Sequence, residues 1–268
     1  MSNQNQQNLE VLNSNLANVN HNDQNYNKND EPNKSNNNLD IERGNDLESN
    51  EMFVKSAMRI GFLRKVYGIL SMQLILTVLM ASLTFIHSVR QFCLTNFWIF
   101  IVAIVLNILI IIPIICFKSV ASKFPTNYLL LTAWTLCEAY MVTFICANYD
   151  PLSVIVAGAL TAAVTVSLTI YAYYTKTDFT YSGGAIFVLA CLILFCVIFS
   201  FFVPFLQILI CSLGVLIYSA YLIYDTQLLI GKFGVEYDVD DYIIAAIMIY
   251  IDIIQIFLYL LEVFGDRR

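Results

Sequence analysis

The sequence predicts an all-α polytopic membrane protein: seven transmembrane helices, with spans six and seven carrying a buried aspartate pair. Three observations carry this. Of 268 residues, 59 % are hydrophobic and only 13 % charged, where an ordinary soluble domain is about a quarter charged. Seven stretches are apolar over about 20 residues, the length that crosses the hydrocarbon core. The last of them, "IMIYIDIIQIFLYLLE" (Ile247–Glu262), holds carboxylates inside an otherwise apolar helix.

The net charge of −6 is unevenly spread, because nine of the 20 acidic residues lie in the first 51 positions. Residues 1–50 are rich in Asn and lack apolar periodicity. Such a segment buries too little surface to offset chain entropy, so 1–50 is expected to be a disordered cytoplasmic tail and 51–268 a seven-helix transmembrane domain. No basic patch of the nucleic-acid-binding kind is present, and no nucleic-acid partner is expected. The first apolar run starts near Phe62, too far in and too long for a cleavable signal, and is expected to stay in the membrane.

The expected spans are 63–86, 97–117, 127–148, 152–174, 183–203, 205–230 and 242–264. Asp150–Pro151 and Pro204 mark tight turns. Lys55, Arg59, Arg64, Lys65, Lys118, Lys123, Lys176 and Lys232 fall on one side if the spans alternate, against Arg90, Arg267 and Arg268 on the other. The positive-inside rule then places the N-terminus in the cytoplasm; the terminal arginine pair fits this poorly, and a re-entrant seventh span would return the C-terminus to the cytoplasm. In span four, Gly158, Ala162, Thr165 and Thr169 form a small-residue stripe that predicts close helix packing. The seven cysteines include no CxxC and read as small buried hydrophobes, with a Cys93–Cys146 bridge as the alternative.

Glu138 in span three, Asp225 in span six and Asp252 in span seven lie at membrane depth, and Glu262 lies near the far end of span seven. Each is costly, at least about 2.5 kcal/mol on insertion scales. Between Tyr67 and Glu262 every Lys and Arg falls in a loop. These acids are therefore protonated, share protons with one another, or hold a metal cation. Asp225 is about 7.5 Å from the end of span six and Asp252 about 15 Å into span seven, at 1.5 Å per residue. The two depths converge if span seven starts in water at "DDYII". Facing aspartates can then share a proton and act as a pH-dependent latch.

Asp252, Gln255, Tyr259 and Glu262 form one polar stripe, and Gly214, Tyr218, Tyr221 and Asp225 the matching one. Two such stripes line a cation route or form a polar seam between helices. The acidic loop Glu236–Asp241 resembles a calcium loop but lacks the EF-hand glycine and terminal glutamate.

"YTKTDFTYSGGAIF" (Tyr174–Phe187), "YLIYDTQLLIG" (Tyr221–Gly231) and "DDYIIAAIMIYIDIIQIFLYLLEVFG" (Asp240–Gly265) resemble the Bax inhibitor motif family. "FLRKVYGILSMQLILTVLMASL" and "FPTNYLLLTAWTLCEAYMV" resemble its first and third spans, and Glu138 in the latter is similar to the Lifeguard branch that includes the Golgi anti-apoptotic proteins. The resemblance covers about residues 55–265; the Asn-rich tail has no counterpart in it. It implies a calcium-permeable leak channel in endoplasmic reticulum or Golgi membranes, sensitive to pH and suppressing stress-induced cell death. It implies no cofactor, with calcium as the transported ion and membrane-protein partners in cell-death control. It places the family's paired aspartates at Asp225 and Asp252, which would hold any bound metal; on the channel reading the helix faces put Gln255, Tyr221 and Tyr259 along the ion pathway, with Glu138 and Glu262 as secondary cation sites. Some members pair these acids with an arginine in the second span. "FWIFIVAIVLNILIIIPIICF" has none, which leaves proton sharing as the latch.

Two other readings compete. A non-transporting regulator would use the acids as a structural seam and act through protein partners. An intramembrane aspartyl protease needs two such aspartates, but "IYID" stands where a GxGD motif is required. No enzymatic activity is expected.

Overall fold

The computed structural model describes residues 34–117, 124–180, 184, 187–189, 191–192, 207–231, 233–234, 237–238 and 240–268. In the first helix it describes side chains at residue 50 and from residue 52 on. The chain divides into two units, Met1–Val54 and Lys55–Arg268, and the site lies wholly in the second. The described residues form helices α1 (Lys34–Ser82), α2 (His87–Thr95), α3 (Phe97–Cys116), α4 (Thr126–Cys146), α5 (Pro151–Tyr174), α6 (Gln207–Ile230) and α7 (Tyr242–Phe264), with a 3₁₀ turn at Leu83–Phe85.

Six of these segments are long and apolar enough to cross a membrane: Met52–Phe85, α3, α4, α5, α6 and α7. They match six of the seven expected spans to within two or three residues, except that the first helix starts earlier. The expected fifth span, 183–203, falls mostly outside the described residues. The protein is an integral multi-pass membrane protein, all-helical among the described residues. The segment 34–50, read as part of a disordered tail, is helical here from Lys34. No proline lies between Pro32 and Pro113, and Asn, Asp and Ser are only weakly unfavourable in a helix. A helix already nucleated in an apolar span therefore extends backward at small cost.

Local chemistry fixes the helix ends. Asp150 caps α5, accepting from the Leu152 amide at 3.1 Å, and Pro151 occupies the first turn, where its missing N–H costs nothing. α6 ends at Gly231, whose φ of 70° is the left-handed closure that glycine adopts without a Cβ penalty.

α7 is the centre of the bundle. Its apolar window is 61 % buried, against 11 % for α3, so α3 faces lipid and α7 faces protein. α7 packs on α6 and α5, and α3 packs on α4. Tyr250, Ile247, Ile256 and Leu261 of α7 are fully buried, together with Phe62 and Val66 of α1 and Trp134 of α4. Polar seams bind the core. The Thr77 hydroxyl donates to Gln73 O at 2.9 Å, so the Tyr250 hydroxyl donates to Thr77 at 2.7 Å. Gln73 Nε2 donates to Thr135 at 3.1 Å.

Two expectations are corrected. The small-residue stripe of α5 does not close a helix interface. Gly158, Ala162 and Thr165 line an apolar cavity of about 340 Å³ with Leu74, Ile253 and Phe257, and a Cβ on Gly158 would meet nothing within 4 Å. Short side chains permit close approach but do not compel it. Cys93 and Cys146 are both free thiols, so the alternative of a bridge between them is not realised.

Candidate functional site: the aspartate pair and its two ends

α6 and α7 form an antiparallel hairpin. Asp225 lies five residues before the end of α6 and Asp252 ten residues into α7. The start of α7 therefore projects about 7.5 Å beyond the end of α6, at 1.5 Å per residue. The two carboxyl groups come within hydrogen-bonding reach of each other. Both are buried, at 6 % and 4 % exposure. Two carboxylates alone have no hydrogen to place between them; a shared proton or a bound cation supplies the attraction. Asp252 Oδ2 is buried without a hydrogen-bond partner, and a proton or cation at the pair is the means of satisfying it.

The pair opens on a cavity of about 520 Å³ lined by Tyr218, Tyr221, Tyr224, Tyr237 and both aspartates, with Leu228, Met248 and Ile251. The two expected stripes face each other. The Tyr218 ring stands 5.7 Å from that of Tyr259 and 5.9 Å from that of Tyr221. Gly214 makes the approach possible, because a Cβ there would fall 2.8 Å from the Tyr259 ring. Gln255 is half-buried one turn beyond Asp252 and does not line the cavity. Among the described residues no group of three His, Cys, Asp or Glu side chains converges on a metal position. A metal at the pair would draw its other ligands from hydroxyls, carbonyls or water.

A family model described as "Inhibitor of apoptosis-promoting Bax1" matches residues 59–268, which takes in the whole hairpin and the bundle around it. The chain belongs to this family. Among the curated proteins it is similar to human Protein lifeguard 3, 35 % identical over 218 residues, covering 79 % of this chain and 70 % of that protein. The mouse Protein lifeguard 3 is 31 % identical over 217 residues, covering 78 % and 70 %. Protein LIFEGUARD 4 of Arabidopsis thaliana is 34 % identical over 224 residues, covering 80 % and 87 %.

In this Bax1-family chain the pair is roofed by residues the sequence did not single out. Tyr237, in the loop between α6 and α7, donates its hydroxyl to Asp225 Oδ1 at 3.0 Å. Burial, then the neighbouring Asp225, pushes the Tyr237 phenol up from its ordinary value, so it stays a neutral donor. Arg59 of α1 donates to Tyr237 O at 2.9 Å and to Leu228 O at 2.6 Å. The second bond meets a last-turn carbonyl of α6, where a cation is favoured. Gln227, fully buried, accepts from the Phe179 amide at 2.9 Å and donates to Thr177 O at 3.0 Å, tying the chain after α5 to α6. In sequence Arg59 reads as one of several basic residues flanking a span. Gln227, two residues past Asp225 in a fully buried turn, is the one position that composition could have flagged.

The remaining expected site residues lie elsewhere. Glu138 accepts from Asn107 Nδ2 at 2.8 Å and joins α3 to α4, away from the cavity-lining residues. Glu262 lies at the far end of α7, where Gln207 Nε2 donates to it at 2.5 Å and Tyr149 and Arg267 both bond it. Arg267 Nε also donates to the Tyr149 hydroxyl at 3.3 Å. The tail after α7 is fastened by an Arg268–Asp150 ion pair and by bonds from Asp150 N to Asp266 O at 2.9 Å and from Arg268 N to Asn148 O at 2.9 Å. The terminal arginines, which fit poorly as topology signals, thus hold local carboxylates. Burial, with the Glu262 hydrogen bond next, pushes the Tyr149 phenol from 10.0 up to about 12.

Proposed function

We propose that this Bax1-family protein is a pH-sensitive, calcium-permeable leak channel of endoplasmic reticulum or Golgi membranes. Its N-terminus is cytoplasmic, and its conduction modulates calcium stores and cell-death or stress responses. It acts without enzymatic chemistry. The observation that carries the reading is the buried Asp225–Asp252 pair, with an unpartnered oxygen on Asp252, opening on a tyrosine-lined cavity.

The mechanism follows from the carboxylates. With one proton between them the pair is joined and the α6–α7 hairpin is closed. When that proton leaves, the two charges repel, and a cation that replaces it bridges them. Calcium prefers several hard oxygens; the two aspartates, tyrosine hydroxyls and backbone carbonyls offer them. The Tyr237 hydroxyl donates to Asp225 and holds that carboxyl in place beside its partner. Tyr221 lines the cavity on α6, and Tyr259 of α7 stands against Tyr218 beside it.

The test is calcium flux into liposomes holding the purified chain, scanned from about pH 5 to 8. Flux should rise with pH in the wild type and stay low and flat in Asp225→Asn/Asp252→Asn. An unchanged pH response in the double variant would remove the pair from the mechanism. Absence of wild-type flux at every pH would favour the non-transporting regulator. Labelling by an aspartyl-protease transition-state mimic would favour the protease reading.

A further inference from the structure

We propose that the cavity beside the aspartate pair binds an organic ammonium ion, a protonated amine or quaternary ammonium head group, caged by Tyr218, Tyr221, Tyr224 and Tyr237 and countered by Asp225 and Asp252. The proposal rests on the reading that cations reach the pair, and on nothing else in the channel mechanism.

The size and lining of the cavity carry it. A volume of about 520 Å³ is in the range of small-molecule sites. It far exceeds what a bare metal ion fills. Apart from the two carboxylates the lining is four phenol rings and apolar side chains, and no third acid converges there among the described residues. Four aromatic rings around a carboxylate pair is instead the composition that holds alkylammonium ions, whose diffuse charge favours ring faces and whose alkyl groups favour an apolar wall.

The acceptor that the pair leaves open when no proton is shared also suits such a ligand. Asp252 is 4 % exposed, lines the cavity, and has a buried oxygen, Oδ2, with no hydrogen-bond partner. A buried acceptor without a donor is rare in native proteins. An N–H of a protonated amine, or the charge of a quaternary head, would satisfy it. Because Asp225 and Asp252 would then be engaged, the bound ammonium would exclude calcium from the pair and block flux.

The test uses the full chain in lipid nanodiscs and radiolabelled choline as probe. Its neutral isostere 3,3-dimethylbutanol is the competitor. Choline should bind saturably, and the isostere should compete at least about tenfold more weakly. Tyr221→Leu should weaken choline binding about tenfold, while Tyr221→Phe, which keeps the ring, stays within about twofold. Asp252→Asn should weaken it by at least about tenfold. Equal competition by the isostere would overturn the proposal, showing an apolar pocket without charge recognition. Wild-type binding in Tyr221→Leu would also overturn it. The flux assay separates the two readings. Choline binding without calcium flux keeps the ammonium site and rejects the channel. Calcium flux with no choline binding keeps the channel and rejects the site.

Discussion

Arg59 holds Tyr237 across 178 residues of sequence, its guanidinium donating to the Tyr237 carbonyl at 2.9 Å while the Tyr237 hydroxyl donates to Asp225. A basic residue at the start of the bundle thereby sets the position of a donor over the aspartate pair. Hydrogen bonds from charged groups contribute about 1.5–3 kcal/mol each. Arg59→Ala should lower stability by about that amount or more, read as a fall in the thermal midpoint. Tyr237→Phe should leave the fold intact and displace the pH response of calcium flux, because it removes only the donor to Asp225. A pH response identical to wild type in Tyr237→Phe would place Tyr237 outside the control of the pair.

Gly214 and Tyr259 make a second close relationship. A methyl at position 214 would stand 2.8 Å from the Tyr259 ring, inside van der Waals contact. Gly214→Ala should cost about 1–3 kcal/mol by overpacking and should reduce flux by pushing the ring into the route. Unaltered stability would mean that the two helices separate freely at this point.

The far end of the bundle predicts an alkaline transition. The Tyr149 phenol is raised from 10.0 to about 12 in the folded protein. A group that holds its proton more tightly when folded contributes stability that is complete below its unfolded value and is lost as pH rises toward its folded one. Wild-type stability should therefore fall between about pH 10 and 12, and Tyr149→Phe should lack that component. The measurement is the thermal midpoint against pH for both proteins. Coincident slopes above pH 10 would contradict the Tyr149–Glu262 contact.

Glu138 and Asn107 predict a structural effect. Glu138→Gln retains a side chain that can accept from Asn107, whereas Glu138→Ala leaves the half-buried amide unpaired, at about 1 kcal/mol. Thermal melts should rank wild type and Gln well above Ala. An Ala variant as stable as the Gln variant would remove the seam between α3 and α4 from the account.

Six of the seven expected spans, and the pair, are legible in the sequence because both depend on local quantities. Apolar length sets the spans, and helix rise with i, i+3, i+7 spacing sets the faces of α6 and α7, so Asp225 and Asp252 could be brought together on paper. Gly214 was placed in the right stripe, although its reason, room for Tyr259, needed the packing. The roof was not legible. Arg59, Tyr237 and Gln227 act through backbone carbonyls and amides of distant segments, and such contacts leave no periodic trace. The contact of Glu262 with Arg267 is not legible either, because Arg267 lies beyond the helix, where spacing says nothing of a chain that folds back. The small-residue stripe of α5 failed for the opposite reason: its pattern is local, but whether a neighbour closes on it is a global outcome.

The most direct test of the central claim is infrared difference spectroscopy of the protein in lipid, asking whether the pair exchanges a shared proton for a cation. Spectra would be recorded with and without calcium, for wild type and for Asp252→Asn. The account predicts a protonated-carboxyl band in the wild type that is lost on adding calcium and is absent from the calcium difference spectrum of Asp252→Asn. A calcium difference spectrum that is the same in both proteins would contradict it, because the aspartate pair would then be neither the holder of the proton nor the site of exchange.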